Sequence, residues 1–199
     1  MTTLLLLSGS QRRESFNARL LRYLGRSLEG RCELDMLEPS QVDLPIFDQD
    51  LESDGAVGNH VVMIHRRFQA SDGIIVASPE YSGQCTPYLK NIIDWVSRLA
   101  HIDSRFDNPF RDRPLLLCSA STGWSGGSVA TPHARALFEY VGCRVMDNEI
   151  CVPHADQAWT GNTYMFDPFF DADIDAATDQ VLQQAQAFSQ IRNELTEAI

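Results

Sequence analysis

The architecture of this chain follows from one stretch near its beginning, Leu4-Leu5-Leu6-Leu7-Ser8-Gly9-Ser10-Gln11-Arg12-Arg13-Glu14-Ser15-Phe16-Asn17. Its apolar run fits one buried strand, a small polar turn follows, and amphipathic helical spacing begins at Phe16. A strand-to-helix turn brings backbone N–H groups and the positive end of a helix dipole to one point, where a phosphate is stabilised. We therefore predict a phosphate site here. An ordinary turn with Ser15 as the helix N-cap is the simpler alternative.

The residues of this turn narrow the kind of phosphate. The turn lacks the Lys-Ser/Thr pair of a Walker loop, and Gly9 stands alone where a dinucleotide fingerprint requires three glycines. Ser10, Ser15 and Asn17 supply neutral donors, and Arg12 supplies a charged donor. A terminal monophosphate held mainly by hydroxyls and amides fits this set best.

Length and composition indicate an ordinary globular protein. The chain has 199 residues, of which 44% are hydrophobic and 22% are charged, so we expect a single domain over residues 1–199. Apolar runs are too short for a membrane-spanning helix, and the start Met1-Thr2-Thr3 has no basic region typical of a signal peptide. The sequence predicts no membrane association.

The net charge and the cysteine content limit the possible binding partners and the cellular compartment of the protein. The formal net charge of -11 argues against nucleic acid as a partner, because nucleic acid requires a basic surface. Five cysteines without a C-x-x-C pair indicate reduced thiols in the cytoplasm, and Cys85 is expected to be a packed thiol. The histidines His133 and His154 lack metal-ligand spacing, so we predict no metal.

Strand and helix patterns alternate five times along the chain, which predicts a parallel sheet covered by helices on both faces. The first, third and fourth strands end in polar or glycine-bearing loops, the last two at 79–85 and 119–127. Ligands in such sheets bind where the carboxyl ends of the strands meet. We therefore predict a ligand site built from these three loops.

Four individual expectations accompany this pattern. A helix is expected from Val57 with His65 in its core face, and a last helix is expected with Asp173 as its N-cap. Trp95 lies off the apolar stripe of its helix, so it is expected to be exposed, either in a solvated face or with Lys90 in a subunit contact. The segment 101–112 is long for a simple connection, which leaves a functional or interface role open.

Four motifs carry a resemblance to a known family: Gly9-Ser10-x-Arg12-x-x-Ser15-x-Asn17, Pro79-Glu80-Tyr81-x-Gly83, Leu89-Lys90-Asn91-x-x-Asp94-Trp95 and Ala120-Ser121-Thr122-Gly123. In order and spacing they resemble the NADPH-dependent FMN reductase family, from Leu4 to about Pro153. That family has a flavodoxin-like fold and includes azo, quinone and chromate reductases.

The resemblance implies an α/β, doubly wound, five-stranded parallel sheet of order 2-1-3-4-5. It implies bound FMN, NADPH or NADH as electron donor, and ping-pong hydride transfer through flavin N5 to a small acceptor: a quinone, an azo compound, chromate or free flavin. No catalytic side chain is required, because the flavin carries the chemistry. A homodimer or homotetramer is also implied. A flavodoxin-like electron carrier and a cofactor-free interaction module are the alternatives.

The resemblance also implies which residues contact FMN. Ser10, Arg12, Ser15 and Asn17 would hold the phosphate, while Ser121 would contact the ring or the ribityl chain from the other side. The ring would be lined, largely by backbone groups, by Pro79, Glu80, Tyr81, Ser82 and Gly83. Ser82 stands where the family usually has asparagine, so the backbone contact is expected there without the usual side chain.

Overall fold

The computed structural model describes residues 1–53, 58–160, 163–164 and 170–197. Its main sheet has five parallel strands in the order β2-β1-β3-β4-β5. These five strands are β1 (Thr3–Ser8), β2 (Glu33–Leu37), β3 (Gly73–Ala77), β4 (Pro114–Ala120) and β5 (Arg144–Val152). A separate antiparallel pair is formed by β6 (Trp159–Thr160) and β7 (Thr163–Tyr164). The helices are α1 (Phe16–Leu28), α2 (Gln49–Ser53), α3 (Asn59–Ala70), α4 (Pro87–Ile102), α5 (Thr131–Val141) and α6 (Phe170–Glu197). The predicted fold class and strand order are confirmed.

Helices cover both faces of the sheet, and successive strand residues point to opposite faces, so nearly every residue of a central strand is buried. Leu4 and Leu6 pack with α1 and α6 in one core cluster. Leu5 and Leu7 pack with α3, α4 and α5 in the other. This arrangement explains why the central strands read as continuous apolar runs. Because β1, β3 and β4 pair in parallel, the loops that follow them emerge at one edge of the sheet.

The structure places the start of the last helix differently from the prediction, and the predicted start of α3 cannot be compared at Val57 itself. The last helix begins at Phe170, so the expectation that Asp173 is its N-cap was wrong, and Asp173 lies in its first turn. Phe170 and Ile174 are buried in the core, which draws the helix start earlier than the polar residue. Val57 lies outside the described residues, and α3 begins at Asn59 with Gly58 as its N-cap.

The expectation of an exposed Trp95 was wrong. Trp95 is 1% exposed, its ring meets the Phe47 ring edge-on at 5.0 Å, and its Nε1 donates a hydrogen bond to the Pro45 carbonyl at 2.8 Å. The loop before α2 crosses this face of α4, and Asn91 holds it there. The Asn91 Oδ1 accepts from the Phe47 N–H at 2.7 Å, and its Nδ2 donates to Pro45 at 2.9 Å. Lys90 stays on the surface, paired with Asp94.

His65 is buried, as predicted, and its Nε2 lies 2.9 Å from the Asp107 carbonyl oxygen. Burial lowers the pKa of His65, because a desolvated imidazole favours its neutral form. The first two residues of the segment 101–112 complete α4, and Phe110 is fully buried against Phe68 at 5.1 Å between ring centroids. Packing alone therefore accounts for much of this segment.

Candidate functional site

The loops after β1, β3 and β4 surround one cleft of about 160 Å³ at the carboxyl edge of the sheet. Eight of the ten residues that the sequence singled out line it: Ser10, Arg12, Ser15, Asn17, Pro79, Glu80, Tyr81 and Ser121. Phe16, Ala120 and Thr122 complete the lining. Ser82 and Gly83 stand in the adjoining turn and do not line the cleft.

Gly9 fixes the path of the first loop. A Cβ at this position would lie 2.5 Å from the Ser78 Oγ, so only glycine lets β1 and β3 end this close together. The Gly9 N–H donates to the Ala77 carbonyl at 2.8 Å, and its own carbonyl accepts from the Thr86 hydroxyl at 2.6 Å. Thr86, whose hydroxyl also accepts from the Leu89 N–H as the N-cap of α4, therefore anchors the first loop as well. A local sequence pattern carries no signal for this long-range contact.

Ser10 and Ser15 are buried, and each hydroxyl accepts one backbone hydrogen bond. The Ser15 Oγ accepts from the Ala18 N–H at 3.2 Å, as an N-cap does, and the Ser10 Oγ accepts from the Arg12 N–H at 3.3 Å. A hydroxyl that accepts can still donate its own proton. The simple N-cap and the anion site are thus compatible, because one serine can serve both.

Arg12 is the charged donor of this loop. Its guanidinium is exposed, lies 4.5 Å from the centre of the Phe16 ring and donates to the Glu14 carbonyl. The first turn of α1 contains no acidic residue. The positive helix end and Arg12 therefore act on the same point without a competing carboxylate in that turn.

Asn17 links the first loop to the fourth strand. Its Nδ2 donates to the Ala120 carbonyl and its Oδ1 accepts from the Ala120 N–H, both at 2.9 Å. This paired contact spans 103 residues of sequence, so no local pattern could reveal it. The second amide proton of Asn17 remains available to a ligand.

A tight turn follows β3. Tyr81 and Gln84 exchange two backbone hydrogen bonds of 3.0 Å, with Ser82 and Gly83 between them at φ values of 52° and 73°. Two successive positive φ angles define a type I′ turn, which favours Asn-Gly. The asparagine usual in the family therefore suits the backbone here, whatever else its side chain does. Tyr81 presents a ring that is 50% exposed.

The loop after β4 is held from both sides. The Ser121 N–H donates to the Val152 carbonyl at 3.1 Å, and the Ser121 Oγ accepts from the Gly123 N–H at 3.2 Å. Trp124, which the sequence did not single out, is 82% exposed on this loop. Ser121 consequently faces the cleft on a fixed backbone.

The cysteines give no sign of redox pairing. All five, each within the described residues, are free thiols. Cys85, next to the turn after β3, is half-buried, and burial raises the pKa of its thiol. A packed, protonated thiol agrees with the prediction made for Cys85.

The sheet order and the cleft at its carboxyl edge define a flavodoxin-like α/β protein. The chain belongs to the NADPH-dependent FMN reductase family, whose sequence profile matches residues 2–157. The resemblance seen in the four motifs is confirmed.

Relatives and solved structures agree with this assignment. The chain is 31% identical to a quinone reductase of Escherichia coli over 141 residues, 71% of each protein. It is 28% identical to an NADPH:quinone oxidoreductase of Arabidopsis thaliana over 92% of this chain and 89% of the relative. The flavoenzyme NAD(P)H:(acceptor) oxidoreductase FerB of Paracoccus denitrificans shares the fold, with a TM-score of 0.80 at 24% identity, covering 94% of this chain and 99% of that protein.

Family membership fixes the coarse biochemistry. The protein is an oxidoreductase that uses FMN and NAD(P)H and reduces small-molecule acceptors. Among the described residues, no helix is both long and apolar enough to cross a membrane.

Proposed function

We propose that the cleft binds FMN and that the enzyme reduces quinones and similar small acceptors with electrons from NAD(P)H. The observation that supports this most is the convergence of eight candidate residues from three loops on one cleft. The hydrogen-bond donors suit the phosphate of the cofactor. Hydroxyls, an amide and a guanidinium lie around the N-terminus of α1, where a phosphate would be stabilised.

Each candidate residue has a proposed role. Ser10, Ser15 and Arg12 donate to the phosphate, and Asn17 holds the first loop against β4 while offering its second amide proton. Backbone groups of residues 79–83 line the flavin ring on one side. Ser121 contacts the ring or the ribityl chain from the loop after β4.

When bound, FMN would supply the hydride chemistry between the nicotinamide donor and the acceptor, through its N5. The protein positions the ring, and backbone N–H groups of the surrounding loops stabilise the added negative charge. The exposed Tyr81 and Thr122 leave the cleft open to solvent, which would let donor and acceptor enter it in turn. We therefore propose ping-pong kinetics.

The phosphate site is tested by comparing FMN with riboflavin, which lacks the phosphate. Titration of the apoprotein followed by flavin fluorescence should give riboflavin at least tenfold weaker binding, because it forms no charge-assisted hydrogen bonds with the first loop. Equal affinities would contradict the proposed phosphate site. A protein that binds neither flavin would contradict the function itself.

Kinetics separate the reductase from an electron carrier. Mixing the FMN-loaded protein with NADPH in a stopped-flow spectrometer should bleach the flavin absorbance without any partner protein. Initial rates with a benzoquinone should give parallel double-reciprocal lines. Bleaching that requires a second protein would favour the carrier.

Acceptor range, assembly and compartment are also proposals. We propose that quinones, azo compounds, chromate and free flavin are accepted, and a panel of these acceptors measures the preference through kcat/KM. We propose a homodimer or homotetramer in the cytoplasm, supported by the family resemblance and the free thiols. Light scattering that gives the mass of one chain would contradict the oligomer.

A further inference from the structure

The carboxylate of Glu80 contains a buried oxygen that has no hydrogen-bond partner among the described residues. Glu80 lines the cleft, and within the described part of the chain no donor reaches its Oε2, which is inaccessible to solvent. A buried polar atom without a partner is uncommon in native proteins and calls for an explanation. A charged group makes the case stronger, because burying an unmatched charge is more costly than burying a neutral one.

The surroundings of Glu80 hold a second such atom. A Cβ placed on Gly127 would lie 3.9 Å from the Glu80 Cβ and 1.8 Å from the Ser119 Oγ. Ser119 is 1% exposed, and among the described residues its hydroxyl also has no partner. The carboxylate side chain and the hydroxyl therefore flank Gly127, between the loops after β3 and β4 that line the cleft.

The charge of Glu80 reaches its neighbours because this region is poor in solvent. The pKa of the Cys151 thiol is raised to about 11, mainly by burial, with the negative charges of Glu149 and Glu80 contributing and a hydrogen bond with Thr131 opposing them. A carboxylate whose field acts on a thiol across these loops acts on any group bound in the cleft beside it.

We propose that the Glu80 carboxylate disfavours the reduced state of the bound flavin relative to its oxidised state. This inference rests on the proposed binding of FMN in the cleft. Glu80 would thereby lower the reduction potential of the flavin and make the reduced enzyme a stronger hydride donor to its acceptors.

The sign follows from the charge balance. A hydride carries two electrons and one proton from NAD(P)H, which leaves as NAD(P)⁺, so the flavin ring system gains one negative charge. A nearby carboxylate repels that added charge and has much less effect on the neutral oxidised ring. Removing the carboxylate charge should stabilise the reduced state.

The test compares the Glu80→Gln variant with wild type at equal FMN loading. Reductive titration against a reference dye, followed by flavin absorbance, gives the potential and hence the ratio of the oxidised-FMN to the reduced-FMN dissociation constants. We expect Glu80→Gln to raise this ratio about tenfold, which is about 30 mV upward for a two-electron couple. Glu80→Asp keeps the charge and should stay closer to wild type than to Glu80→Gln.

The Glu33→Gln variant is the matched control, because it changes the net charge equally at the opposite end of the sheet, where β2 begins. It should leave the ratio within twofold. If Glu80→Gln folds poorly, Glu80→Met removes the same charge at similar length. If the charge-neutral variants bind FMN and the ratio of dissociation constants rises less than threefold, the proposed function is not affected and the proposed role of Glu80 is overturned. Failure of the wild type to bind FMN would overturn the proposed function together with it.

Discussion

The two edges of the main sheet use polar residues in opposite ways. At the amino edge lies a cavity of about 990 Å³, far larger than the cleft at the carboxyl edge. Arg113, 4% exposed, donates there from its Nε to the Pro109 carbonyl at 3.0 Å and from its Nη1 to the Ser71 carbonyl. Arg192 pairs with Asp72 at 2.8 Å, and both guanidiniums lie against the Phe188 ring. These groups stabilise the end of α3.

At the small cleft on the carboxyl edge, several polar groups keep hydrogen-bonding capacity that the fold does not use. Its serine hydroxyls keep protons to donate, Arg12 is exposed, and Glu80 has an oxygen without a partner in the described chain. Cavity size therefore does not identify the candidate site in this protein. Hydrogen-bonding capacity that the fold leaves available identifies it better, because a ligand can replace water there at low cost.

The largest effect is expected at the amino edge. Arg113→Ala should lower the free energy of unfolding by about 3 kcal/mol, because the Pro109 carbonyl loses its Arg113 donor and the Ser71 carbonyl keeps only the longer bond from Arg192. Urea unfolding measures it. Arg111→Ala, at an exposed neighbouring arginine, should change stability by less than about 0.5 kcal/mol. A loss of FMN affinity in folded Arg113→Ala would contradict the division between the two edges.

Gly83→Val should weaken FMN binding, because a branched side chain strains the tight turn whose backbone groups are proposed to line the ring. Gly30→Val is a close control: the φ angles of Gly83 and Gly30 are 73° and 74°, and Gly30 has no neighbouring atom within 4 Å of a Cβ. Both variants should lose roughly 1–2 kcal/mol of stability from backbone strain. Flavin absorbance after loading distinguishes them, and full occupancy in Gly83→Val would refute the proposed ring position.

Arg12→Ala should weaken FMN binding by about 1.5–3 kcal/mol, the contribution of a charge-assisted hydrogen bond, with little effect on stability. Fluorescence titration with FMN measures the change. Arg13→Ala removes the same charge from the adjacent exposed position and should bind FMN nearly as well as wild type. Equal losses in both variants would indicate a general charge effect instead of a specific contact.

His65 should make stability depend on pH. Burial lowers its pKa in the folded state, so below about pH 6.5 the unfolded chain binds more protons than the folded chain. Stability should therefore fall on acidification, by at most about 1.4 kcal/mol per pH unit from this residue. Unfolding curves between pH 7.5 and pH 5.5 should show a weaker dependence in His65→Gln, whereas His60→Gln, exposed on the same helix, should match wild type.

Ser82→Asn is expected to have the smallest effect, a gain in stability of a few tenths of a kcal/mol. Asparagine tolerates the positive φ of 52° better than serine does. Thermal unfolding measures the gain, and Ser82→Ala should shift the midpoint downward instead. A lower midpoint for Ser82→Asn would show that the turn does not favour asparagine.

Local patterns predicted most of the fold because they depend on short-range periodicity. The four leucines of β1, the helix start at Phe16 and the glycine-bearing loops after β3 and β4 are all features of neighbouring residues. The prediction that Trp95 is exposed was wrong because its burial depends on a contact that is distant in sequence. The loop that covers it comes from about 50 residues earlier, and helical spacing cannot report a cover contributed by another segment.

The candidate site shows the same limit. Its residue types were visible in the sequence, and the parallel topology implied that their loops would meet. The sequence did not show the Asn17 contact with Ala120 or the Thr86 contact with Gly9. It also did not show that one Glu80 oxygen finds no partner in the part of the chain that the structure describes. Each depends on atoms of distant segments coming within hydrogen-bond distance or failing to do so.

The sequence by itself determined most of the strand and helix pattern, the polar loop after β1 and the family, because each depends on residues close together along the chain. Only the tertiary structure decided which polar atoms stay available at the cleft and which are paired at the opposite edge. Hydrogen bonds and burial act over a few ångströms in space, whatever the separation in sequence, so this distinction appears only once the chain has folded.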